Sequence, residues 1–233
     1  MRLSRPFKRI LRGLIKSLLA LLLLSVALVF SLRFVDPPVW AWQIHRTLFN
    51  PPGYPAHARH QWVELAQIAK SMQLAVIAAE DQRFPEHSGF DWSAIQNALA
   101  HNANHQRIRG GSTISQQTAK NLFLWPSRSY LRKGIEAWFT LWLEWLVGKE
   151  RILELYLNLV EFGPGIYGVE AASQYYFGKS ARGLRWSEAA RLAAVLPNPY
   201  RYRANPPTPY VVERSRWIGQ QMGQLGTVTL NRL

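Results

Sequence analysis

Apolar and polar positions divide this chain into three regimes. Residues 17–32 form an uncharged run built almost wholly of Leu, Ala, Val and Phe, with no polar face. Residues 36–62 mix prolines with aromatics, as in Asp36-Pro37-Pro38-Val39-Trp40 and Pro51-Pro52-Gly53-Tyr54-Pro55, and read as a linker or irregular segment. From Trp62 onward the apolar residues recur at helical spacing, and strand-like alternation is nearly absent. Spacing and capping residues predict a helix over 63–81, apolar at Leu65, Ile68, Met72 and Val76, and a second over 91–103 with Asp91 as N-cap. Thr113-Ile114-Ser115-Gln116 has the capping-box form T-x-x-Q and starts a third. A long helix follows over 129–147, Gly148 interrupts it, and the helical pattern resumes over 149–159. Gly163-Pro164-Gly165 requires a turn, and Gly178 ends a helix over 169–177. Ser187 caps one that stops before Pro197, and Thr208-Pro209 opens the last. The expected fold is all-α with extended loops and no internal repeat.

The apolar run extends to residues 14–34, 21 residues or about 32 Å of helix, enough for a hydrocarbon core of roughly 30 Å. Ahead of it stand Arg2, Arg5, Lys8, Arg9, Arg12 and Lys16 with no acid. That asymmetry keeps the N-terminus in the cytoplasm and sends the rest of the chain across a cytoplasmic, or inner, membrane. A cleaved signal peptide is the competing reading, since Ser25-Val26-Ala27 has the small-x-small form. The apolar run continues past Ala27, which favours an uncleaved anchor. The expected organisation is a basic tail (1–16), a transmembrane anchor (17–34), a membrane-proximal linker (35–62) and a helical body (63–233).

The formal charge is +14, and cysteine is absent, which excludes disulfide scaffolds, Cys-ligated zinc and thiol catalysis. Half of that charge lies within the first 34 residues, so the remainder is only moderately basic. Together with its placement outside the cytoplasm, this removes nucleic acid as an expected partner.

Four places carry candidate chemistry. Glu80 and Asp81 close an apolar helix, where desolvation raises a carboxyl pKa and makes a usable general base; the alternative is local bonding to the next loop. Gly110-Gly111-Ser112-Thr113 leads into a helix whose polar face is Gln116, Gln117, Lys120 and Asn121, a setting where backbone N–H groups approach an anion. An ordinary capped helix behind a glycine loop fits equally. Arg128, Arg132 and Glu136 are spaced i, i+4, i+8 with Lys133 beside them, a row able to hold a diphosphate or simply a solvated charged face. The opposite side of that helix is rich in tryptophan, suited to core packing and to a lipid interface. His101 and His105 are four apart but lack a third ligand, which argues against a metal pair.

Five segments in order resemble the family-51 glycosyltransferases, the peptidoglycan transglycosylases. Residues 80–89 fit E-D-x-x-F-x-x-H-x-G, and residues 110–117 fit G-G-S-T-I-[ST]-Q-Q. Residues 132–136 fit R-K-x-x-E, and residues 149–158 fit K-x-x-I-L-E-x-Y-L-N. Arg191 through Pro197 is similar to the fifth block. With no S-x-x-K and no K-T-G for a transpeptidase, the chain is similar to the monofunctional form. Ile135 stands where some relatives have Lys.

The resemblance implies a lysozyme-like helical domain over 63–233. It also implies transfer of a lipid-linked glycan strand, whose MurNAc C1 carries undecaprenyl diphosphate, onto the GlcNAc 4-OH of lipid II with inversion. Glu80 would then be the base. Glu136 would stand by the leaving diphosphate, acting directly or through a divalent ion such as Mg or Mn, or offset by Lys133 and Arg132. Lys120, Arg128, Arg132 and Lys133 would hold diphosphates, and Ser112, Thr113, Gln116, Gln117 and Asn121 the sugars or loop. Asp81, Phe84, His87 and Gly89 would shape the first motif. The implied partners are lipid II, the lipid-linked strand, the bilayer and other cell-wall synthesis proteins. A membrane-anchored lytic enzyme of the lysozyme-like group and a non-enzymatic scaffold for wall synthesis are the competing readings.

Overall fold

The computed structural model describes residues 5–104, 110–127 and 129–233. Its first helix, α1 (Arg5–Ser31), contains a stretch, Lys8–Ser31, long and apolar enough to cross a membrane. The helix stops three residues short of the expected anchor limit. Its end docks on the body: Val29 and Leu32 are buried, and Arg151 donates from Nε to the Leu32 carbonyl at 2.9 Å.

The segment expected as a linker is folded onto the body. It contains α2 (Ala41–Leu48) and a two-residue strand, β1 (Arg59–His60), and Trp40 is almost wholly buried. Eight residues between proline clusters are too few for a period to declare itself, so tertiary burial of Trp40 decides the structure.

The predicted helix over 63–81 is broken. A 3₁₀ turn (Leu65–Gln67) precedes α3 (Lys70–Glu80), because the Gln73 side chain donates to the carbonyls of Leu65 and Ile68 and holds that backbone out of the helix. The remaining helices are α4 (Trp92–Asn104), α5 (Ile114–Phe123), α6 (Tyr130–Leu146), α7 (Lys149–Leu159), α8 (Val169–Phe177), α9 (Trp186–Val195) and α10 (Pro209–Leu225).

Most boundaries follow the caps. Asp91 accepts from Ala94 N–H at 2.9 Å, Thr113 and Gln116 form the reciprocal box, and Ser129 accepts from Arg132 N–H at 3.2 Å. Gly148 at φ +87 separates α6 from α7. Ser187 is not the cap of α9; the helix begins a residue earlier, and Glu188 reaches back to the Arg185 N–H at 2.8 Å. The turn at 163–165 joins β2 (Glu161–Gly163) to β3 (Ile166–Tyr167), and β1 adds in parallel to β3. These strands are too short for alternation to be visible in the sequence.

The core runs along α3, α7, α8 and α9, where fully buried residues include Leu74, Ile77, Leu155 and Leu192. Helix α3 packs against α9 and α10, α5 lies between α6 and α7, and α1 runs along α6. The end of α3 meets the start of α5, where Asp81 accepts from the Ile114 N–H, and Ser115 of α5 reaches Glu144 near the end of α6.

Candidate active site

Helix α3 is apolar on all sides over Leu74–Ala78, so it is buried there and delivers its last residue, Glu80, half-buried at the rim of a cleft. That cleft, about 470 Å3, is lined by Glu80, Ser112 and the 110–113 loop on one side and by Trp217 and Gln221 of α10 on another. Gln117 of α5 donates from Nε2 to Glu80 Oε2 at 2.8 Å, and the Tyr156 hydroxyl donates to Gln117 Oε1 at 3.4 Å. Burial pushes the Glu80 pKa up. The Gln117 hydrogen bond and the Arg214 and Lys120 cations oppose that rise without cancelling it. A carboxylate so placed takes up a proton more readily than an exposed one.

Asp81, next in sequence, does structural work. It is buried, accepts from the Ile114 N–H at the start of α5 at 2.9 Å, and bonds His87 Nε2 at 3.0 Å. Phe84 is fully buried beneath the Lys149 ammonium, 4.3 Å from its ring centre. Gly89 adopts φ +87, where a Cβ would come within 2.8 Å of Thr140 Cγ2, and its carbonyl accepts the Thr113 hydroxyl at 2.7 Å. These four residues thus pin the first motif to the start of α5 and to α6.

Thr113 and Gln116, expected among the sugar-holding residues, are buried, and their polar atoms go to the capping box and to Gly89. Asn121 is buried as well. The α5 residues that act on Glu80 are Gln117, hydrogen-bonded to it, and Lys120, one turn further along. Lys120 lies over the Trp42 ring, 5.1 Å from its centre, and is in no ion pair among the described residues. Its pKa is lowered by desolvation, while Glu136 pulls it back up.

Glu136 is buried and clasped by two cations of its own helix, Arg132 at 2.7 Å and Lys133. Arg132 is also fixed by a bond from Nε to the Ser127 carbonyl at 2.6 Å. Arg128 and His105 lie outside the described residues. Among the described residues no group of three His, Asp or Glu side chains is suited to a metal ion, and both Glu136 oxygens are taken by cations. This donor set does not fit a divalent ion, and the offset beside Glu136 comes from Arg132 and Lys133.

The arrangement is therefore a desolvated carboxylate, Glu80, held by Gln117, with the cations Lys120, Arg132 and Lys133 gathered around Glu136 further along α5. Both lie within one electrostatic neighbourhood, since Lys120 acts on Glu80 and is itself acted on by Glu136, Arg132 and Lys133.

Comparison with known proteins agrees with this geometry. The family described as Transglycosylase matches residues 48–223. The chain belongs to that transglycosylase family. It is 62% identical to the biosynthetic peptidoglycan transglycosylase of Aeromonas hydrophila, covering 97% of this chain and 96% of the relative. It is 58% identical to that of Shewanella oneidensis (98% of each chain) and 51% identical to that of Vibrio parahaemolyticus (96% of this chain and 99% of the relative). This transglycosylase is thus a peptidoglycan glycosyltransferase, built as a mostly helical, lysozyme-like domain behind one apolar N-terminal helix.

Helix α10 brings Arg214 behind the end of α3 and Trp217 and Gln221 to the cleft wall, none of them marked out by the sequence. Arg214 donates to the Ala79 carbonyl at 3.2 Å and lies 4.0 Å over the Trp217 ring. Gln221 accepts from Gln82 at 3.1 Å. Their i, i+3, i+7 spacing is visible in the sequence, but nothing there says that α10 returns to the end of α3.

Proposed function

We propose that the protein polymerises glycan strands from lipid-linked precursors. The 4-OH oxygen of the lipid II GlcNAc attacks MurNAc C1 of the growing strand. Its proton passes to Glu80, the C1–O bond to undecaprenyl diphosphate breaks, and a β-1,4 bond forms with inversion. An inverting displacement needs a base on the attacking side and charge compensation on the departing side, as inverting glycosidases do with water. The observation that carries the reading is the pairing of Glu80, half-buried and with a raised pKa, with the neighbouring cations Lys120, Arg132 and Lys133. A raised pKa brings a general base nearer the operating pH. Guanidinium and ammonium groups suit a departing diphosphate. Glu136 keeps Arg132 and Lys133 in register beside it.

Ser112, on the cleft wall, and Trp217 face the sugars in this scheme. Anchor α1 crosses the cytoplasmic membrane with the basic tail inside, and the exposed Leu131, Leu141 and Trp145 of α6 rest at the bilayer surface. A lytic enzyme has no use for the cationic cradle, which favours synthesis over cleavage.

The test is to incubate the purified full-length protein with lipid II in detergent. We expect a polymer that lysozyme digests, with release of undecaprenyl diphosphate. Cleavage of preformed glycan with no such polymer would contradict the proposal.

A further inference from the structure

A second pocket, about 620 Å3, shares no lining residue with the Glu80 cleft. It lies between the 53–59 loop, β3, α8 and the loop over 199–208 that leads into α10. Its walls are mostly tyrosine and proline rings, and its formal charges are Arg59, Arg201 and Arg203. No acid lines it. None of the three arginines pairs with an acid among the described residues; Arg59 rests on the Tyr175 ring at 5.4 Å.

The carboxylate behind the wall, Glu161, is committed elsewhere. It accepts from the Tyr200 hydroxyl at 2.8 Å and the Gly165 N–H at 3.0 Å, and lies 3.7 Å from Arg46. A further unmet donor adds to the three guanidiniums. Thr208, the N-cap residue of α10, makes no side-chain cap, and its hydroxyl is buried without a partner among the described residues. The positive end of a 17-residue helix therefore adjoins the same space.

Cations gathered without counter-charge repel one another, and each becomes more favourable when an anion arrives. A compact ion such as phosphate would fill only a small part of so large a space and meet few of the charges. Guanidinium forks match carboxylates, the Tyr176 and Tyr200 hydroxyls, which donate to Phe162 and Glu161, keep a lone pair for a peptide N–H, and tyrosine and proline rings pack against an extended backbone. We propose that this pocket binds a peptide chain bearing two or more carboxylates. One source is the peptide carried by the wall substrate, which rests on the function proposed above; the other is an acidic segment of another protein.

The test uses full-length protein in detergent and a fluorescently labelled tetraglutamate peptide followed by anisotropy. We expect saturable binding that weakens at least tenfold in Arg201→Glu/Arg203→Glu and holds in Arg216→Glu, an exposed arginine outside the pocket. The milder Arg201→Gln/Arg203→Gln pair weakens binding as well, with Tm unchanged. No binding by the parent protein would overturn the proposal, as would equal binding by the pocket variants or equal displacement of the peptide by inorganic phosphate. A second arm compares lipid-linked substrate with and without its peptide. A KM increase confined to the peptide-bearing form supports the proposal with the substrate as source, and unchanged kinetics alongside lost tetraglutamate binding supports it with a protein partner as source. Failure of the parent to polymerise either substrate would sink the proposed function and leave the anisotropy result standing.

Discussion

Glu80, at the end of α3, meets one neutral donor, Gln117, and stands half-exposed at a cleft, whereas Glu136, in the second turn of α6, is buried between Arg132 and Lys133. The two side chains are chemically identical. Their surroundings differ in what they offer a negative charge: partial desolvation for one, two cations for the other. The first is thereby suited to the proton-accepting role proposed for it, and the second to holding Arg132 and Lys133 in place. Environment, not residue type, separates the roles.

The strongest way to break this contrast is to neutralise one member. Glu80→Gln keeps shape and removes the proton acceptor, so glycan transfer should fall by about 10²–10⁴-fold, the usual worth of general-base catalysis. Binding of lipid II, measured separately, should persist. Next comes the clasp. Arg132→Ala leaves the buried Glu136 with one partner and should lower stability by about 3 kcal/mol in denaturant unfolding, within the usual loss for a broken buried pair. Lys133 is far more exposed, so Lys133→Ala should cost less than about 1 kcal/mol. Equal losses at the two positions would contradict the picture of a buried clasp with one dominant arm.

The smallest effect concerns stability against pH. Burial holds the folded-state pKa of Glu80 above its unfolded value. The contribution of this residue is therefore fully present below the unfolded pKa and is lost as pH rises through the folded one, so ionised Glu80 weakens the fold at neutral pH. Glu80→Gln should raise Tm at pH 8, with the gain shrinking towards pH 4. A gain independent of pH would show that the desolvated charge is not its cause.

The parts of this molecule that were legible in the sequence are those governed by local chemistry. The box at Thr113 and Gln116, the cap at Ser129 and the glycines at 148 and 178 set helix limits through bonds spanning a few residues. What stayed hidden depends on contacts distant in the chain. Trp40 finds its burial against His60 and Tyr167, which orders a segment that reads as linker. The side chain of Gln73 breaks an otherwise regular helical pattern. At the site, a polar helix face reads the same whether its residues meet a ligand or their own backbone, so Thr113 and Gln116 could not be told apart from Gln117 and Lys120. Trp217 enters the cleft, and Arg214 reaches the Ala79 carbonyl, only because α10 packs on α3.

The central claim is that Glu80 accepts the proton of the attacking hydroxyl. The most direct measurement is the pH dependence of single-turnover transfer in the parent protein and in Glu80→Gln. The parent should show an acid limb above the ordinary glutamate range, since the group must be ionised to act and burial raises its pKa. The residual rate of the variant should lack that limb. The same limb persisting in Glu80→Gln would assign it to another group and contradict the account.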